Sequence, residues 1–546
     1  MKISIIPKHE YVYLAFVCWI VDFHLCFGEV FTAICKLREL PAKEQALIAT
    51  FDRFLKDQKE NYAINELKEF VEKMREENRK VLNDSHYVEN PINSFQLLYR
   101  TVHIWGEKLS QYLHYPTYNN KSLPYFMNSV FNNTQQMSSW PKQFDLRGAS
   151  MALVRLRYIY NLDIEDIRHG RLPTSQTHGL SGNDLLTIGQ TATQFDNQAE
   201  AILWLTESIA VLSKDPQNNE LVIRAYRSLA DIFVRFNAPH MALDMMKTAL
   251  HIDPNNSGVK RDMAIYNDVM TDYVKHLRPF LTILEITNLK RDAPIFTPNY
   301  AELCRGEIKT PEELSQLSCR FRETQIPFIF AKEEEVNSDP AILVFHDVIS
   351  DSEIEQLQKI AHASMRRSTV VERDSSIKET EVRISNNAWI YDSESVADKL
   401  SRRIEMITGL SALNRNYDTH AEPYQIVNYG LGGMYDPHFD SLAKDGQPKS
   451  EDEAYRNSGE RTATWMFYLS DVLSGGATVF PKLKARVQVK KGSAAFWFNT
   501  HRNGFPDMRT LHAGCPILEG DKWVANKWLR SIGQTFRRPC ALNPNL

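Results

Sequence analysis

What the chain lacks narrows it first. Its 546 residues carry 64 Lys and Arg against 68 Asp and Glu, a formal charge of -4. No positive excess is there to draw a nucleic acid or an anionic membrane surface. Beyond Tyr11–Gly28 there is no second long apolar run, so no membrane is expected as a partner of the mature chain. Cysteine is scarce, at 7 residues. A Lys-Asp-Glu-Leu-type retention tail is missing too, the last residues being Asn543-Pro544-Asn545-Leu546. At 63.1 kDa the chain is too long for one core, and roughly two to four domains are expected.

The one apolar run follows Lys2 and Lys8, contains Asp22 and exits through Cys26-Phe27-Gly28. Small residues before the cut and an internal acid favour a cleaved signal peptide over residues 1–28 rather than an anchor. The expected compartment is therefore the secretory pathway. Removing the leader leaves Cys35, Cys304, Cys319, Cys515 and Cys540. Two local pairs suit an oxidising lumen, Cys304 with Cys319 and Cys515 with Cys540, each worth about 3 kcal/mol in the chain-entropy model. Cys35 is left as a free thiol. Glycosylation sequons stand at Asn83, Asn120, Asn132 and Asn255, usable only in that compartment.

The pattern predicts helices, then strands. Residues 29–142 form a helical N-terminal region, in which Ile64, Leu67, Phe70, Val71 and Met74 follow helical spacing. Phe95, Leu98, Val102, Trp105, Leu109 and Leu113 make a short heptad seam, ordinarily an intramolecular helix pair. Residues 116–142, rich in Asn, Ser, Tyr and Pro, read as a linker or long loop. Within 143–275, Ile188-Gly189 with Ala201 repeats as Leu229-Ala230 with Ala242, and the second copy closes on Ala249–Pro254. This is a tetratricopeptide-type pair of helix pairs with a lengthened connection at Ser213–Glu220, a platform for an extended peptide. Residues 276–340 are a linker holding the Cys304–Cys319 loop. Over 341–546 the pattern turns to short strands at Ala341–Phe345, Ile426–Tyr429, Ala463–Leu469, Thr478–Phe480, Val487–Val489, Ala494–Phe498 and Trp523–Trp528, with one helix at Asp351–Ser364. Antiparallel strands so punctuated suit a double-stranded β-helix, or jelly roll.

That fold suits the strongest chemical signal. His438-Phe439-Asp440 followed by a distal His512 is the composition of a two-histidine, one-carboxylate facial triad for non-haem Fe(II). Residues i and i+2 of a strand share a face, so His438 and Asp440 can reach one metal. One His-x-Asp tripeptide means little in a chain with 16 histidines. Lys522, ten residues after His512, adds a cation that a metal-chelating dicarboxylate needs at its far end. No role falls to His346, His420 or His501.

The surroundings of these residues are specific. Asn428–Asp440 (NYGLGGMYDPHFD), Thr464–Val472 (TWMFYLSDV), Gly475–Pro481 (GGATVFP), His512–Pro516 (HAGCP), Lys522–Trp528 (KWVANKW) and Phe536–Cys540 (FRRPC) run in order through the last part of the chain. They resemble the collagen prolyl 4-hydroxylase alpha-subunit family of 2-oxoglutarate-dependent dioxygenases, and weaker similarity extends over most of the rest. The resemblance implies hydroxylation of peptidyl proline in X-Pro-Gly sequences at C4, with Fe(II), 2-oxoglutarate and O2 consumed or held and L-ascorbate keeping the iron reduced. It implies His438, Asp440 and His512 as metal ligands and Lys522, Tyr429 and Thr478 around the co-substrate. Tyr435, Arg461 and Trp528 would line the peptide channel. It also implies protein disulfide isomerase as beta subunit of an α2β2 tetramer in the endoplasmic reticulum, a dimerising N-terminal region, and a bond between Cys515 and Cys540.

The chain departs from the family in its second block. There the family's groove is tyrosine-rich, because flat rings stack on polyproline; here Tyr226, Phe233, Phe195, Phe236 and Trp204 are on offer, and Thr193 and Ile232 stand where aromatics are common. Tyr226 and Phe233 are the expected contacts to proline-rich or collagen-like peptides. The competing readings are a lumenal lysyl or prolyl 3-hydroxylase, which typically has Arg in place of Lys522, and a non-catalytic peptide-binding subunit.

Overall fold

The structure, a computed structural model, describes residues 29–541 apart from 113–120, 138, 195–196, 277, 288–296, 307–308, 369, 372–376, 379–382, 415–419 and 444–452. The expected leader, Leu113, Asn120 and Phe195 lie outside the described residues. A helical N-terminal half is followed by an antiparallel β half. No described helix is long and apolar enough to cross a membrane.

Helix starts follow from local chemistry. Asn61 caps Tyr62–Leu82 by accepting from the Ile64 amide, and Asn90 caps Pro91–Tyr99 through Ile92 and Asn93, each satisfying an amide with no partner inside the helix. Ile64, Leu67, Val71 and Met74 are buried against Leu47, Phe51 and Leu55 of Leu40–Lys56. The heptad seam is spent inside the chain and does not run straight. A π turn over Arg100–Ile104 shifts the register, so Phe95 and Leu98 join one core while Trp105 and Leu109 join another. Glu44 sits buried at that junction, accepting from Arg100 Nε and Nη2 at 2.9 and 2.8 Å and from the Trp105 indole at 2.9 Å.

Beyond it, Gly182–Gln194 pairs with Gln198–Leu212 and Asn219–Arg235 with Pro239–Ile252, and Ser257–Lys275 packs on the end. The repeated small residues lie where the helices cross. A Cβ on Gly189 would stand 2.8 Å from Leu205, and Ala201, Ala230 and Ala242 are fully buried. The longer connection holds a 3-10 turn, Pro216–Asn218, started by Asp215. Phe233, expected in a peptide groove, is a correction: it is buried among Leu229, Ala230 and Met246 and has no free face, because it falls on the core side of its helix. Ile232 and Trp204 are core residues too, and Tyr226 is half-buried.

The β half begins earlier than 341. Cys319–Glu323 and Phe330–Ser338 form a hairpin on the edge of the main sheet, so the expected linker is partly sheet. Among the described residues that sheet has nine strands, in the order Cys319–Glu323, Phe330–Ser338, Ala341–His346, Ala494–Phe498, Arg461–Tyr468, Trp523–Arg530, Tyr424–Tyr429, Ser385–Ile390 and Arg366–Arg367. A second sheet of four runs Ala485–Val487, Thr478–Phe480, His512–Gly514, Tyr435–His438. Val344, Val427, Met466, Trp497, Phe480 and Val487 fill the space between the two. The outer face of the large sheet packs Trp465, Phe467, Ala525 and Leu529 under helices Asp351–His362 and Ser395–Thr408, which Glu353 ties together by a two-pronged bond to Arg403.

The cysteines overturn both expected pairs. Cys304 bonds to Cys515, 211 residues away, and Cys319 and Cys540 are free and exposed. Helix Tyr300–Arg305 lies on the small sheet, burying Cys304 with Val479, Ala513 and Cys515. Cys319 instead opens the edge strand of the large sheet, and Cys540 follows the last 3-10 turn, so neighbours in sequence are not neighbours in space. Cys35 is buried and free, and burial pushes its thiol up to about 12. Asn83, Asn132 and Asn255 are exposed.

Candidate active site

His438 ends the strand Tyr435–His438, and His512 starts the strand beside it in direct register. The chain enters this strand through Gly432, at φ +54, a conformation that suits glycine. Ligand atoms of His438, Asp440 and His512 all lie within 4.8 Å of one another. Nε2 of His438 is 3.8 Å from Oδ1 of Asp440, and Nε2 of His512 is 3.6 Å from Oδ2. Both Nδ1 atoms are occupied, His438 by the Asp436 carbonyl at 2.7 Å and His512 by the Thr510 carbonyl at 3.0 Å. A carbonyl only accepts, so each Nδ1 carries the proton and each Nε2 presents its lone pair to the common centre. Asp440 accepts from the Thr464 hydroxyl at 2.7 Å, and Asn499 donates to Thr464 in turn.

The electrostatics keep these groups in metal-binding form. Burial, then His512, lowers the pKa of His438, so its ring is neutral at ordinary pH. Burial alone would raise Asp440, but His512, His438, Arg461 and the Thr464 hydrogen bond outweigh it and hold the carboxylate ionised. Three such donors on one side of an open space suit Fe(II), which leaves positions for oxygen and a chelating acid.

Lys522 stands across that space, 2 % exposed. Burial pushes its ammonium down to about 7. It donates to the Gly476 carbonyl at 2.6 Å and lies 5.1 Å from the Tyr429 ring centre. Among the described residues it has no carboxylate partner, so an acid group of a ligand would complete it. Two of the other cations nearby are committed to acids. Arg461 grips Glu422 at 2.6 and 2.7 Å, and Lys527 faces the far side of the sheet, 2.9 Å from Asp392. Strand alternation explains the difference, since Lys522, Val524, Asn526 and Trp528 point between the sheets and Lys527 points away.

About 40 Å³ of space is enclosed by Tyr429, Tyr435, His438, Thr478, His512 and Lys522, with Asp440 and Trp528 on the same wall. Thr478 accepts from the Tyr468 hydroxyl at 2.9 Å. The Tyr435 ring stacks on His438 with centres 3.5 Å apart. Trp528 lies under the Arg461 guanidinium at 3.8 Å and beside the exposed Trp389. The expected metal, co-substrate and channel residues of the β half all line this space except Arg461, which lies over Trp528 at its wall, while Tyr226 lies in the helical half, packed against its core. Sequence reasoning missed Arg383, which donates to Gln425 at 2.8 Å and covers the Tyr435 ring, and it missed Trp389 and Tyr468. Arg383 and Trp389 stand beside and within the polar strand Ser385–Ile390, whose pattern gives no strand signal.

Comparison with known proteins places this geometry. Residues 33–174 match the prolyl 4-hydroxylase alpha-subunit N-terminal region, and residues 424–530 match the 2OG-Fe(II) oxygenase superfamily. Prolyl 4-hydroxylase subunit alpha-1 of Bos taurus is 33% identical over 533 residues, covering 94% of this chain and 96% of that protein. Prolyl 4-hydroxylase subunit alpha-2 of Caenorhabditis elegans is 32% identical, with 95% and 94% covered. Among solved structures, a viral collagen prolyl hydroxylase from Paramecium bursaria Chlorella virus-1, determined as a 2OG complex, is 26% identical with a TM-score of 0.27, covering 35% of this chain and 95% of that one. The donor triad and the superfamily match make this an Fe(II)- and 2-oxoglutarate-dependent dioxygenase. With its relatives alike over nearly the whole length, the chain belongs to the prolyl 4-hydroxylase alpha-subunit family.

Proposed function

We propose that this chain is the catalytic subunit of a collagen-type prolyl 4-hydroxylase. The single observation that carries the site reading is Lys522, a buried ammonium without a carboxylate partner among the described residues, facing three converging ligand atoms. His438, Asp440 and His512 hold Fe(II), and Lys522 pairs with the distal carboxylate of 2-oxoglutarate, a charge-assisted contact strengthened by burial. Tyr429 and Thr478 flank that acid. When bound, iron and 2-oxoglutarate supply the oxidising chemistry, in which one oxygen atom of O2 goes to proline C4 and the other to succinate as CO2 leaves.

The protein's own residues orient and exclude. Tyr435, stacked on His438 and covered by Arg383, and Trp528 flank the position of a proline ring, Arg461 is held over Trp528 by Glu422, and the buried walls keep water from the reacting C–H bond. The two facing sheets read as a jelly roll and the paired helices as tetratricopeptide units. Those helices give an extended proline-rich peptide a second grip, with Tyr226 as a contact. The apolar leader, the exposed sequons and the disulfide support work in the endoplasmic reticulum lumen, where protein disulfide isomerase is the proposed beta subunit and ascorbate the reductant. The test is mass spectrometry of a (Pro-Pro-Gly)-type peptide carrying one lysine, incubated with the protein co-expressed with protein disulfide isomerase, Fe(II), 2-oxoglutarate and ascorbate. Gain of one oxygen at C4 of proline is expected; oxygen at C3, on lysine, or nowhere overturns the reading.

A further inference from the structure

The turn joining strands Ile517–Glu519 and Trp523–Arg530 ends on Lys522, and each of the three residues before the lysine is fastened to the helical half. Glu519 is buried; its carboxylate accepts from the Thr174 amide at 3.2 Å and from the hydroxyls of Thr174 and Ser175. The Gly520 amide donates to the Glu89 carbonyl at 3.0 Å. Asp521 accepts from Arg38 at 2.7 Å, Asn428 at 2.6 Å and the Trp523 indole at 3.1 Å. Arg38 also pairs with Glu89, and the neighbouring Asn90 donates to Ser175 at 2.9 Å. Three segments of the helical half, at Arg38, Glu89–Asn90 and Thr174–Ser175, thus close a ring around one turn.

The ring reaches the lysine directly. The Asn428 amide group donates to Asp521 and, at 3.3 Å, to the Lys522 carbonyl, while its oxygen accepts from the Cys35 amide at 3.1 Å. The Tyr429 amide donates to the same Lys522 carbonyl at 3.1 Å. Glu519, Gly520 and Lys522 are buried, with Val472 and Leu473 packed close on Gly520. Clefts of about 840 and 910 Å³ open on its two sides, with the exposed Leu473 on the rim of both. Gly520 sits at φ +116, a region open to glycine alone, which leaves the backbone soft.

We propose that this turn couples the helical half to the co-substrate site: Arg38 and Glu519 are positioning residues that fix where the Lys522 ammonium stands, and so set the affinity for the dicarboxylate without touching it. A lysine has four rotatable side-chain bonds, and a binding group must be held within about 0.5 Å, so the backbone beneath Lys522 has to be immobile. The inference rests on Lys522 as the anchor of 2-oxoglutarate.

The test is steady-state kinetics of the full-length protein carrying Arg38→Met, Arg38→Lys, Glu519→Gln or Lys522→Ala, with Arg75→Met as a remote ion-pair control. Arg38→Met and Glu519→Gln should raise the KM for 2-oxoglutarate about 3- to 30-fold, with kcat, the peptide KM and the iron requirement within about twofold of the parent. Arg38→Lys should recover most of the loss, Arg75→Met should match the parent, and a selective rise in either clamp variant supports the coupling. An unchanged 2-oxoglutarate KM in both clamp variants, while Lys522→Ala raises it, overturns the clamp alone. No effect in Lys522→Ala overturns the anchor and the clamp together. Parallel decline of all constants with a lowered melting temperature reduces Arg38 and Glu519 to structural residues and overturns the proposal.

Discussion

Replacing Lys522 by methionine should stabilise the ligand-free protein while crippling it. Methionine keeps the unbranched chain in the buried slot and removes the charge. An ordinary lysine titrates at 10.5, and burial takes Lys522 down to about 7. At about 1.4 kcal/mol for each tenfold change, burying the ammonium costs roughly 5 kcal/mol. The variant loses the donor to the Gly476 carbonyl, which returns about 1–3 kcal/mol of that. A net gain of about 2–4 kcal/mol remains. The folded-state value lies below the unfolded one, so the charged form is what folding disfavours. The gain is therefore full below pH 7 and fades as pH rises toward 10.5, where the lysine is neutral in both states. Denaturant unfolding of the apo protein and the variant at pH 6 and pH 10 measures it. In the same variant, 2-oxoglutarate loses its partner and should bind about 30- to 1,000-fold more weakly, some 2–4 kcal/mol. In the parent, affinity should fall above pH 7, because binding the acid draws a proton onto Lys522. A variant less stable than its parent at pH 6, or one that binds 2-oxoglutarate undiminished, refutes the reasoning.

Three further outcomes are expected. His512→Ala leaves two protein donors and should abolish turnover with loss of most Fe(II) affinity, read by iron titration beside product formation; full hydroxylation at saturating iron would remove His512 from the ligand set. A non-reducing peptide map should link Cys304 to Cys515 and leave Cys319 and Cys540 alkylated; closing so long a loop is worth about 5 kcal/mol in the chain-entropy model, so Cys304→Ser should lower denaturant resistance. Arg461→Met removes the cation above Trp528 and should raise the peptide KM roughly 10- to 30-fold, given about 2 kcal/mol for a desolvated cation–π contact, with the 2-oxoglutarate KM unmoved; a shift in the latter instead would make Arg461 part of the acid's anchor.

The candidate site was legible because its residues sit in short contiguous motifs. His438 and Asp440 are two apart, so one strand can bring both to a metal, and the family resemblance of the surrounding motifs placed the co-substrate and peptide residues. The edges of the sheet were not legible. Phe330–Ser338 buries Glu333, neutralised by Arg320 and Arg322 across the hairpin, and such a strand shows no apolar alternation. Ser385–Ile390 buries Ser385 and Asn386 and hides in the same way. The heptad seam misled because a π turn divides it between two cores. The disulfide misled because local pairing was assumed where the bond joins a helix to a strand 211 residues on. Phe233 shows that an aromatic at helical spacing belongs to the core unless its face is known.

The segment Glu29–Leu37 crosses the β half early in the chain: the Leu431 amide donates to the Phe31 carbonyl at 2.9 Å, and the Cys35 amide donates to Asn428, 393 residues later. This fixes an order of assembly during synthesis. At about 5–20 residues per second, Ala33 and Cys35, which pack in the β core, wait roughly 20–80 s before the strand that receives them exists. For that interval one face of the segment stands without its site, while Val30, Phe31, Ile34 and Leu37 can already close with the helices on their core. The catalytic half is then completed by the oldest part of the chain meeting one of the youngest, a contact of very high sequence separation and therefore slow to form.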